Sequence, residues 1–416
     1  MHRAHQDTVA QRHGPDRQRA KEMRILGHGA SSLALGVESP YIFKQLYEQC
    51  HEGVPGGNPD QGRRPRSVSR QSLHGCVAHP HPMYEAYMDY QVSRHRIAIA
   101  SGGELHLTRF RPTHPRGLPV LCWHGAIESG HIFHSRSGKG LAPWLAQQGR
   151  DVMVIDQRGR GSALPRPARG VSFPQRDVIV EEITAALARC CQLGGVTRCH
   201  VMAHSWGGVL IAAHLARVPG SRDRIASQVY FGTKRRVRVQ NPSKWLYIDV
   251  IWKGLAPAVR RLCGYLPARR LRWGSDDEYA ASHAHSVAWV RDTAWRDPED
   301  GFDYAEALAQ TGLPPTLHLA GSRDRALGHP RDVARFIDEC GPHRHALSLL
   351  GRTSGLTRDY GHLDMLTHPH AATEVYPQAL AWCQAHDDTA PDRESSARSR
   401  SETGKKQGPN DKTPSQ

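Results

Sequence analysis

Three residues of this 416-residue sequence have the types and the order that nucleophilic chemistry at a serine requires. Ser205 lies in VMAHSWGGVL (201–210), where an apolar run leads into the serine and an apolar helical run follows it. A serine hydroxyl becomes a nucleophile when a base takes its proton and an acid orients that base. Asp324 and His362 follow in the order Ser–Asp–His, each just after an apolar run typical of a strand. The pattern predicts attack of Ser205 on an acyl carbonyl, with His362 as the base and Asp324 as the orienting acid.

Taken singly, each of these residues is weak evidence. The turn Ala203-His204-Ser205-Trp206-Gly207 has a small-x-Ser-x-Gly pattern that arises by chance in long chains. Asp324 could simply cap a turn, and His362 is one of 27 histidines. Their positions after predicted strands carry the argument, because ligand-binding groups in open α/β sheets gather at the carboxyl ends of strands.

The developing negative charge on an attacked carbonyl needs two backbone N–H donors. We expect one from Trp206, the residue after the serine, and the other from Ala126 in the loop WHGAIESGHIF (123–133). The alternative for Gly125 in this loop is an ordinary turn glycine.

Two neighbouring residues receive structural interpretations. His204 is interpreted as a packing residue at a strand end, with a place in the pocket lining as the alternative. Asp364 lies two residues from His362, too close in sequence for the usual geometry, so it is interpreted as a structural partner of its own loop.

The elements that must position these residues alternate along the chain. Strands are predicted at 95–100, 104–110, 118–125, 151–156, 199–204, 225–233, 316–321 and 345–350, and helices at 140–149, 177–193, 206–219, 331–340 and 370–385. Alternation of this kind predicts an α/β fold, with a mostly parallel central sheet, helices on both faces and an antiparallel hairpin at one edge.

Residues 234–310 interrupt the alternation, and two partly apolar stretches within them, 245–266 and 278–295, predict a helical cap. A cap of this kind controls access to a site and excludes water from it.

Polar, low-complexity stretches flank the organised part of the chain. Residues 1–81 are predicted to be a disordered extension, 82–386 one domain with its cap, and 387–416 a disordered polar tail. Met83 just precedes the organised part, so translation starting there is an alternative to an N-terminal extension.

The nine cysteines are odd in number and lack CxxC spacing, so neither a zinc ribbon nor a redox motif is supported. The first residues contain no apolar signal-peptide segment, and no apolar run is long enough to cross a membrane. These features together predict a cytoplasmic protein.

The net charge of +15 has a local source. Residues 234–273, called here the basic segment, contain eleven Lys and Arg and one Asp. One interpretation is attraction of an anionic substrate or peripheral contact with an anionic lipid surface, and the other is a solvated face of an arginine-rich protein. No nucleic-acid-binding motif accompanies the charge, so a nucleic-acid partner is not expected.

Five motifs together resemble the α/β-hydrolase superfamily over about residues 84–386. The motifs are HGAIESG (124–130), DVMVIDQRGRGSA (151–163), AHSWGG (203–208), GSRDRAL (321–327) and YGHLDML (360–366). They resemble the oxyanion loop, the D-x-R-G-x-G-x-S segment, the serine turn, the acid loop and the histidine loop of that superfamily, in its esterase and acid-lipase-like branches. The departure is Ala203 in place of the usual glycine. Related families that use cysteine or aspartate at the turn are disfavoured by Ser205.

The resemblance implies a serine ester hydrolase, esterase-like or lipase-like, acting on a small-molecule ester or acyl substrate. It implies the catalytic residues Ser205, Asp324 and His362, the oxyanion donors Ala126 and Trp206, and neither a metal nor an organic cofactor. A thioesterase, amidase or peptidase on the same three residues stays open, as does a non-catalytic scaffold of this fold. The sequence leaves the oligomeric state open.

Overall fold

The computed structural model describes residues 89–388. The predicted extension 1–81, Met83 and the tail beyond residue 388 lie outside the described residues. Eight strands form one sheet in the order β1-β2-β4-β3-β5-β6-β9-β10, and β7 and β8 form a separate two-stranded ladder. The strands are β1 (Tyr90–Ala98), β2 (Glu104–Pro112), β3 (Val120–Trp123), β4 (Val152–Asp156), β5 (Cys199–His204), β6 (Ile225–Phe231), β7 (Tyr265–Leu266), β8 (Glu278–Tyr279), β9 (Thr316–Gly321) and β10 (His345–Leu350).

The direction of the strands matches the sequence pattern. β1 and β2 form the predicted antiparallel hairpin, and β2 is also antiparallel to β4. The pairs from β4 through β3, β5, β6 and β9 to β10 are parallel. The predicted fold class, a mostly parallel sheet with helices, is therefore confirmed.

The centre of the sheet is fully covered. Every residue of β3, β4, β5, β6 and β9 is buried. Parallel strands covered on both faces have near-continuous apolar sequences, which explains why these runs lack alternation. Because their carboxyl ends lie at one edge, the loops after β3, β5, β6, β9 and β10 meet there.

Helices fill the connections between strands. They are α1 (Leu141–Gln147), α2 (Ile183–Gly194), α3 (Trp206–Arg217), α4 (Ala256–Cys263), α5 (Ala280–Arg291), α6 (Tyr304–Thr311), α7 (Pro330–Glu339), α8 (Asp364–Thr367), α9 (Ala371–Glu374) and α10 (Tyr376–Gln384). Single α-helical turns lie at Gln175–Asp177 and Pro242–Lys244, and 3₁₀ turns at Gly130–Ile132, Arg222–Arg224 and Arg352–Ser354.

Two helical predictions differ in detail from the structure. π-helices, Val178–Glu182 and Trp245–Leu255, lead into α2 and α4, where the sequence predicted uniform helices. The predicted last helix is divided into α9 and α10 at Val375, whose φ is −107°. Pro377 has no N–H to continue a helix but is tolerated in the first turn of α10.

The predicted cap lies between β6 and β9 and contains the second π-helix, α4 and α5. Several hydrogen bonds and ion pairs attach it to the loop after β4. The Tyr279 hydroxyl donates to the carbonyl of Pro165 at 2.5 Å, and Arg160 pairs with Glu278. The cap is thus tied to the loop that contains DQRGRGS (156–162).

The basic segment exposes less charge than its composition indicates. Lys234 and Arg235 are buried, so they belong to the interior. Lys244 and Lys253 share Asp249 as their ion-pair partner. The exposed charge that remains comes mainly from arginines, which are Arg238, Arg261, Arg269, Arg270 and Arg272.

Asp387, the first residue of the predicted polar tail, contacts the loops before β3 and β4. The Asp387 carboxylate accepts two hydrogen bonds from Arg150, both of 2.7 Å, and one from the Leu118 N–H at 2.9 Å. Asp387 therefore joins the chain end to the amino edge of the sheet. Between residues 89 and 388, no helix has the length and hydrophobicity needed to cross a bilayer.

Candidate active site

Ser205 occupies the tight turn between β5 and α3. Its backbone has φ 51° and ψ −121°, a conformation that L-residues other than glycine rarely adopt. The Ser205 N–H donates to the Phe231 carbonyl at 2.8 Å, which continues the β5–β6 pairing up to the serine. The surrounding sheet thus holds a strained residue at its edge, an arrangement typical of functional positions.

Small residues on either side make this turn possible. A Cβ on Gly207 would lie 2.5 Å from the His124 carbonyl oxygen and 2.8 Å from that of Trp123. No side chain fits there unless the loop after β3 moves. Ala203 is fully buried, and the turn accommodates its methyl group, so the departure from glycine at this position leaves the turn intact.

The structure brings the serine, the histidine and the aspartate into one hydrogen-bonded row. His362, on the loop after β10, lies with Nε2 2.9 Å from Ser205 Oγ. Its Nδ1 lies 2.7 Å from Oδ2 of Asp324, on the loop after β9. A carboxylate only accepts hydrogen bonds, so Nδ1 carries the proton and the Nε2 lone pair faces the serine hydroxyl.

The surroundings of the row favour a neutral imidazole beside an ionised carboxylate. Burial and the nearby positive groups His204 and Lys234 lower the pKa of His362, against the raising effect of Asp324. Burial alone would raise the pKa of Asp324, but His362, the Gly328 N–H and Lys234 outweigh it and hold that pKa below its ordinary value. His362 is therefore available as a base around neutral pH.

The two expected oxyanion donors lie on segments that meet at the serine. Trp206 begins α3 directly after Ser205, and Ala126 follows Gly125 in the loop after β3. A Cβ on Gly125 would lie 3.1 Å from Ser205 Cβ, so this loop passes close to the serine. Within the described part of the chain, neither the Ala126 N–H nor the Trp206 N–H donates to a protein atom.

The loop after β3 is fixed by the loop after β4. The Asp156 carboxylate accepts from the Gly130 N–H at 2.8 Å and the Ser162 N–H at 2.9 Å. His124 Nε2 accepts from the Gln157 N–H at 3.1 Å. The segment DQRGRGS (156–162) therefore has a structural role here, because its aspartate holds both loops in place.

The sequence did not reveal a buried imidazole–carboxylate pair beside the serine. Glu128 Oε1 lies 2.6 Å from His204 Nδ1 and also accepts from the Gly125 N–H. His204 was interpreted as a packing residue, yet it bonds to a carboxylate and, at 3.2 Å, to the His362 carbonyl. The available signal was an isolated carboxylate, four residues after His124, in an otherwise uncharged loop.

Lys234 is a second residue whose placement the sequence did not reveal. It follows β6 at the same edge of the sheet and is buried. Burial lowers the pKa of Lys234, while Asp324 and Asp332 oppose that shift. Its charge thus acts on the Asp324–His362 pair from within the protein.

Asp364 lies outside the hydrogen-bonded row. Its carboxylate pairs with Arg323 at 2.9 Å and Arg358 at 3.3 Å, and accepts from the Gly361 N–H at 3.2 Å. These contacts tie the histidine loop to the acid loop, as expected of a structural partner.

Aromatic rings of the cap approach the serine turn. The Trp206 and Trp289 rings, the latter on α5, have centroids 6.2 Å apart. The Trp206 indole N–H donates to the Gln175 side chain at 2.8 Å, which fixes the ring. Both rings are buried in the hydrophobic core, so the cap packs onto α3 directly after Ser205.

Comparisons with known proteins agree with this architecture. The family model described as "alpha/beta hydrolase fold" matches residues 119–397. "Lysophospholipase L2" of Escherichia coli is 33% identical over 125 residues, which cover 29% of this chain and 35% of that protein. A Mycobacterium tuberculosis protein named "Probable oxidoreductase EphD" is 27% identical over 158 residues, which cover 38% of this chain and 23% of that protein. The chain thus spans well under half the length of these curated relatives.

Solved structures with a similar arrangement are distant in sequence. The α/β hydrolase GrgF from Penicillium sp. sh18 is 15% identical with a TM-score of 0.49, covering 72% of this chain and 100% of that one. The esterase RhEst1 from Rhodococcus sp. ECU1013 is 15% identical with a TM-score of 0.45, covering 71% and 99%. The family model spans more than half of the sequence and includes β3 to β10 with the serine turn; the chain belongs to the α/β-hydrolase family.

Proposed function

We propose that the protein is a serine hydrolase that cleaves carboxylic esters through an acyl-enzyme on Ser205. The observation that carries this proposal is the row in which Ser205 Oγ lies 2.9 Å and Asp324 Oδ2 2.7 Å from the two nitrogens of His362. The serine at its end sits at φ 51° on a strand–helix turn. This combination of a nucleophile, a base and an orienting acid fits acyl transfer.

In the proposed reaction, Ser205 Oγ attacks the ester carbonyl carbon while His362 Nε2 takes the hydroxyl proton. The tetrahedral intermediate collapses, the C–O bond breaks, and His362 returns the proton to the departing alcohol. Water then attacks the acyl-serine, giving its proton to His362, and the carboxylic acid is released as Ser205 is reprotonated. Asp324 stays ionised and stabilises the imidazolium that forms twice in the cycle.

The negative oxygen of each intermediate needs donors that are already in place. The Ala126 and Trp206 N–H groups are proposed for this role, because both lie beside Ser205 and neither has an acceptor within the described residues. Donors fixed before the reaction stabilise the transition state at little reorganisation cost.

A moderately apolar acyl ester is the proposed substrate class. Trp206, directly after the serine, packs against Trp289 of the cap, and these apolar surroundings support an apolar acyl substituent. The name of the E. coli relative, a lysophospholipase, also points to a fatty acyl ester.

The test uses a fluorophosphonate probe, which reacts with activated serines, followed by p-nitrophenyl esters of increasing acyl length. We expect the wild type to be labelled and Ser205→Ala to be unlabelled; equal labelling would remove Ser205 from the mechanism. Labelling without turnover of any ester would instead favour thioester or amide substrates on the same residues.

Peripheral contact with an anionic lipid surface is proposed for the cap. Trp245, Leu255 and Leu262 are 62%, 48% and 64% exposed, at the ends of the π-helix and on α4. Exposed arginines of the basic segment, including Arg261 and Arg269, lie in the same part of the chain. Apolar anchors combined with positive charge fit the interface of an anionic bilayer.

Sedimentation with phosphatidylserine-containing vesicles tests this contact. We expect the double variant Trp245→Ser/Leu262→Ser to lose binding, while Leu347→Ser, which changes a 44% exposed leucine on β10, keeps it. Equal binding of both variants would contradict the proposal.

A further inference from the structure

A second imidazole–carboxylate pair lies directly beside the proposed catalytic one. Glu128 and His204 are both buried, and the His204 and His362 ring centroids are 4.8 Å apart. The pair joins three segments: the loop after β3 through Glu128, the end of β5 through His204, and the histidine loop through the His362 carbonyl. None of the steps proposed above uses it.

The hydrogen bonds of His204 define its protonation state. Nδ1 faces the Glu128 carboxylate at 2.6 Å, and Nε2 faces the His362 carbonyl at 3.2 Å. Both partners are acceptors, and a neutral imidazole has only one N–H to donate. Both bonds therefore form only when His204 is a doubly protonated imidazolium. In agreement, Glu128, the His362 carbonyl and Asp324 raise the pKa of His204 despite the opposing effect of its burial.

The carboxylate of this pair also holds the loop after β3. Glu128 Oε1 accepts from the Gly125 N–H, so the peptide that precedes Ala126 is fixed. The same oxygen bonds His204, the residue before Ser205. One oxygen atom thus sets the distance between the loop that carries a proposed oxyanion donor and the turn that carries the nucleophile.

The imidazolium also acts on the base. The charged groups facing His362 are Asp324 from the acid loop, His204 from β5 and Lys234 after β6. Asp324 favours protonation of His362, while His204 and Lys234 oppose it. Around the pair itself, His124 faces Glu128 and Asp324 faces His204. The positive charge of His204, at the end of β5, therefore depends on Glu128 staying ionised.

We propose that Glu128 and His204 are positioning residues, a buried carboxylate–imidazolium pair that fixes the oxyanion loop against the serine turn and presents a positive charge to His362. This inference rests on the proposed function. In this proposal the pair does not contact the substrate; it acts through Ala126, Ser205 and His362. Loss of its charge and loss of its geometry should have separable effects.

The experiment measures the rate of fluorophosphonate labelling as a function of pH. Glu128→Gln keeps an oxygen acceptor for the Gly125 N–H but leaves His204 neutral. Without the imidazolium, protonation of His362 becomes easier, so the acid limb of the profile should move to higher pH by about one unit. The plateau at high pH should fall less than about tenfold.

Three further variants separate charge from geometry. His204→Gln should move the acid limb in the same direction, and the double variant Glu128→Gln/His204→Gln should move it no further, because one pair is lost in every case. Glu128→Ala also removes the acceptor for Gly125, so its plateau should fall by about 100-fold, the range for loss of an oxyanion donor.

His200→Gln is the matched control. His200 lies on the same strand, is equally buried and also faces a carboxylate, Asp387 at 3.1 Å, but at the opposite end of β5. It should destabilise the fold without moving the acid limb. A lower plateau with an unmoved limb in both Glu128→Gln and His204→Gln would reduce the pair to a structural role and overturn the inference.

The wild-type protein offers an independent measurement, in case a variant fails to fold. In ¹⁵N-histidine NMR spectra, His204 should show two protonated ring nitrogens at pH 7.5, where most histidines are neutral. The Glu128→Asp variant, which keeps the charge, should retain this signal and allow its assignment by perturbation. A neutral His204 at this pH would overturn the inference, whereas an unlabelled wild type would overturn the proposed function itself.

Discussion

The two imidazole–carboxylate pairs at the carboxyl edge of the sheet differ in charge although they are about equally buried. The pKa of His362 is lowered, by burial and by the nearby positive groups His204 and Lys234. The pKa of His204 is raised, because the nearby negative charge of Glu128 and two hydrogen-bond acceptors outweigh burial. The third partner differs in the same sense: Nε2 of His362 faces a hydroxyl, which can donate, and Nε2 of His204 faces a carbonyl, which cannot.

This contrast assigns a different use to each pair. A base must be able to gain a proton during the reaction, so it needs a neutral resting state and a proton donor in front of it. A positioning group gains from a fixed charge and two permanent bonds. Two imidazole–carboxylate pairs whose imidazole rings are 4.8 Å apart can therefore have different roles, one as the base and the other as a positioning group.

The largest effect on activity that distinguishes the two pairs is expected for Asp324→Asn. The amide would donate to His362 Nδ1 and force the proton onto Nε2, so that the ring could no longer accept from Ser205. Labelling and ester turnover should fall by about 10,000-fold, against less than tenfold for Glu128→Gln at high pH. Steady-state kinetics of the two variants measure the ratio, and similar losses in both would abolish the distinction between the pairs.

A smaller effect is expected from Gly207→Ala, which changes the contact between the start of α3 and the loop after β3. The new Cβ would lie 2.5 Å from the His124 carbonyl oxygen, so the loop after β3 must move away from the serine. Labelling should fall by about 100-fold through loss of oxyanion geometry, and stability by about 1–3 kcal/mol through overpacking.

Gly254→Ala is the control for this substitution. Gly254 lies in the cap π-helix, and the nearest atom to an added Cβ, the Asp249 carbonyl oxygen, is 3.4 Å away. Its labelling rate should stay at the wild-type value. If Gly207→Ala labels at the same rate as this control, the loop after β3 does not set the oxyanion geometry.

Much of the framework follows from local sequence. The predicted bounds of β5, β9 and β10 coincide with the observed ones, because each is a short apolar run ending at turn residues. Ser205, Asp324 and His362 were predicted to lie together because each follows such a strand, and parallel strands place these ends at one edge.

The Glu128–His204 pair could not be found in this way. The two residues are 76 positions apart, and their contact depends on β3 lying beside β5 and on the path of the loop after β3. The burial of Lys234 and Arg235 could not be predicted from the sequence either, since composition shows charge but not the direction of a side chain. These contacts and burials depend on tertiary packing, which the local sequence pattern does not show.

The smallest expected effect on activity concerns a third imidazole–carboxylate pair, His200 and Asp387, at the amino edge of the sheet. Here the carboxylate also pairs with Arg150, and burial lowers the pKa of His200 despite its bond to Asp387. Labelling of Asp387→Asn should equal that of the wild type, because the site is at the other end of β5. Stability should change instead, because the buried Arg150 would lose its charged partner, and the melting temperature should fall by roughly 5 °C at pH 7.

The pH dependence of that loss follows from the direction of the shift. Burial opposes ionisation of Asp387, but His200, Arg150 and the Leu118 N–H together hold its pKa below the ordinary value. A carboxylate with a lowered folded-state pKa contributes stability above its unfolded pKa, about 3.9, and loses that contribution as the pH falls further. The difference in melting temperature between wild type and Asp387→Asn, measured by calorimetry from pH 7 to pH 3, should therefore be smaller at pH 3 than at pH 7. A constant difference over this range would show that Asp387 acts through shape rather than charge, and the third pair would then no longer follow the rule inferred from the other two, in which partner chemistry sets the charge.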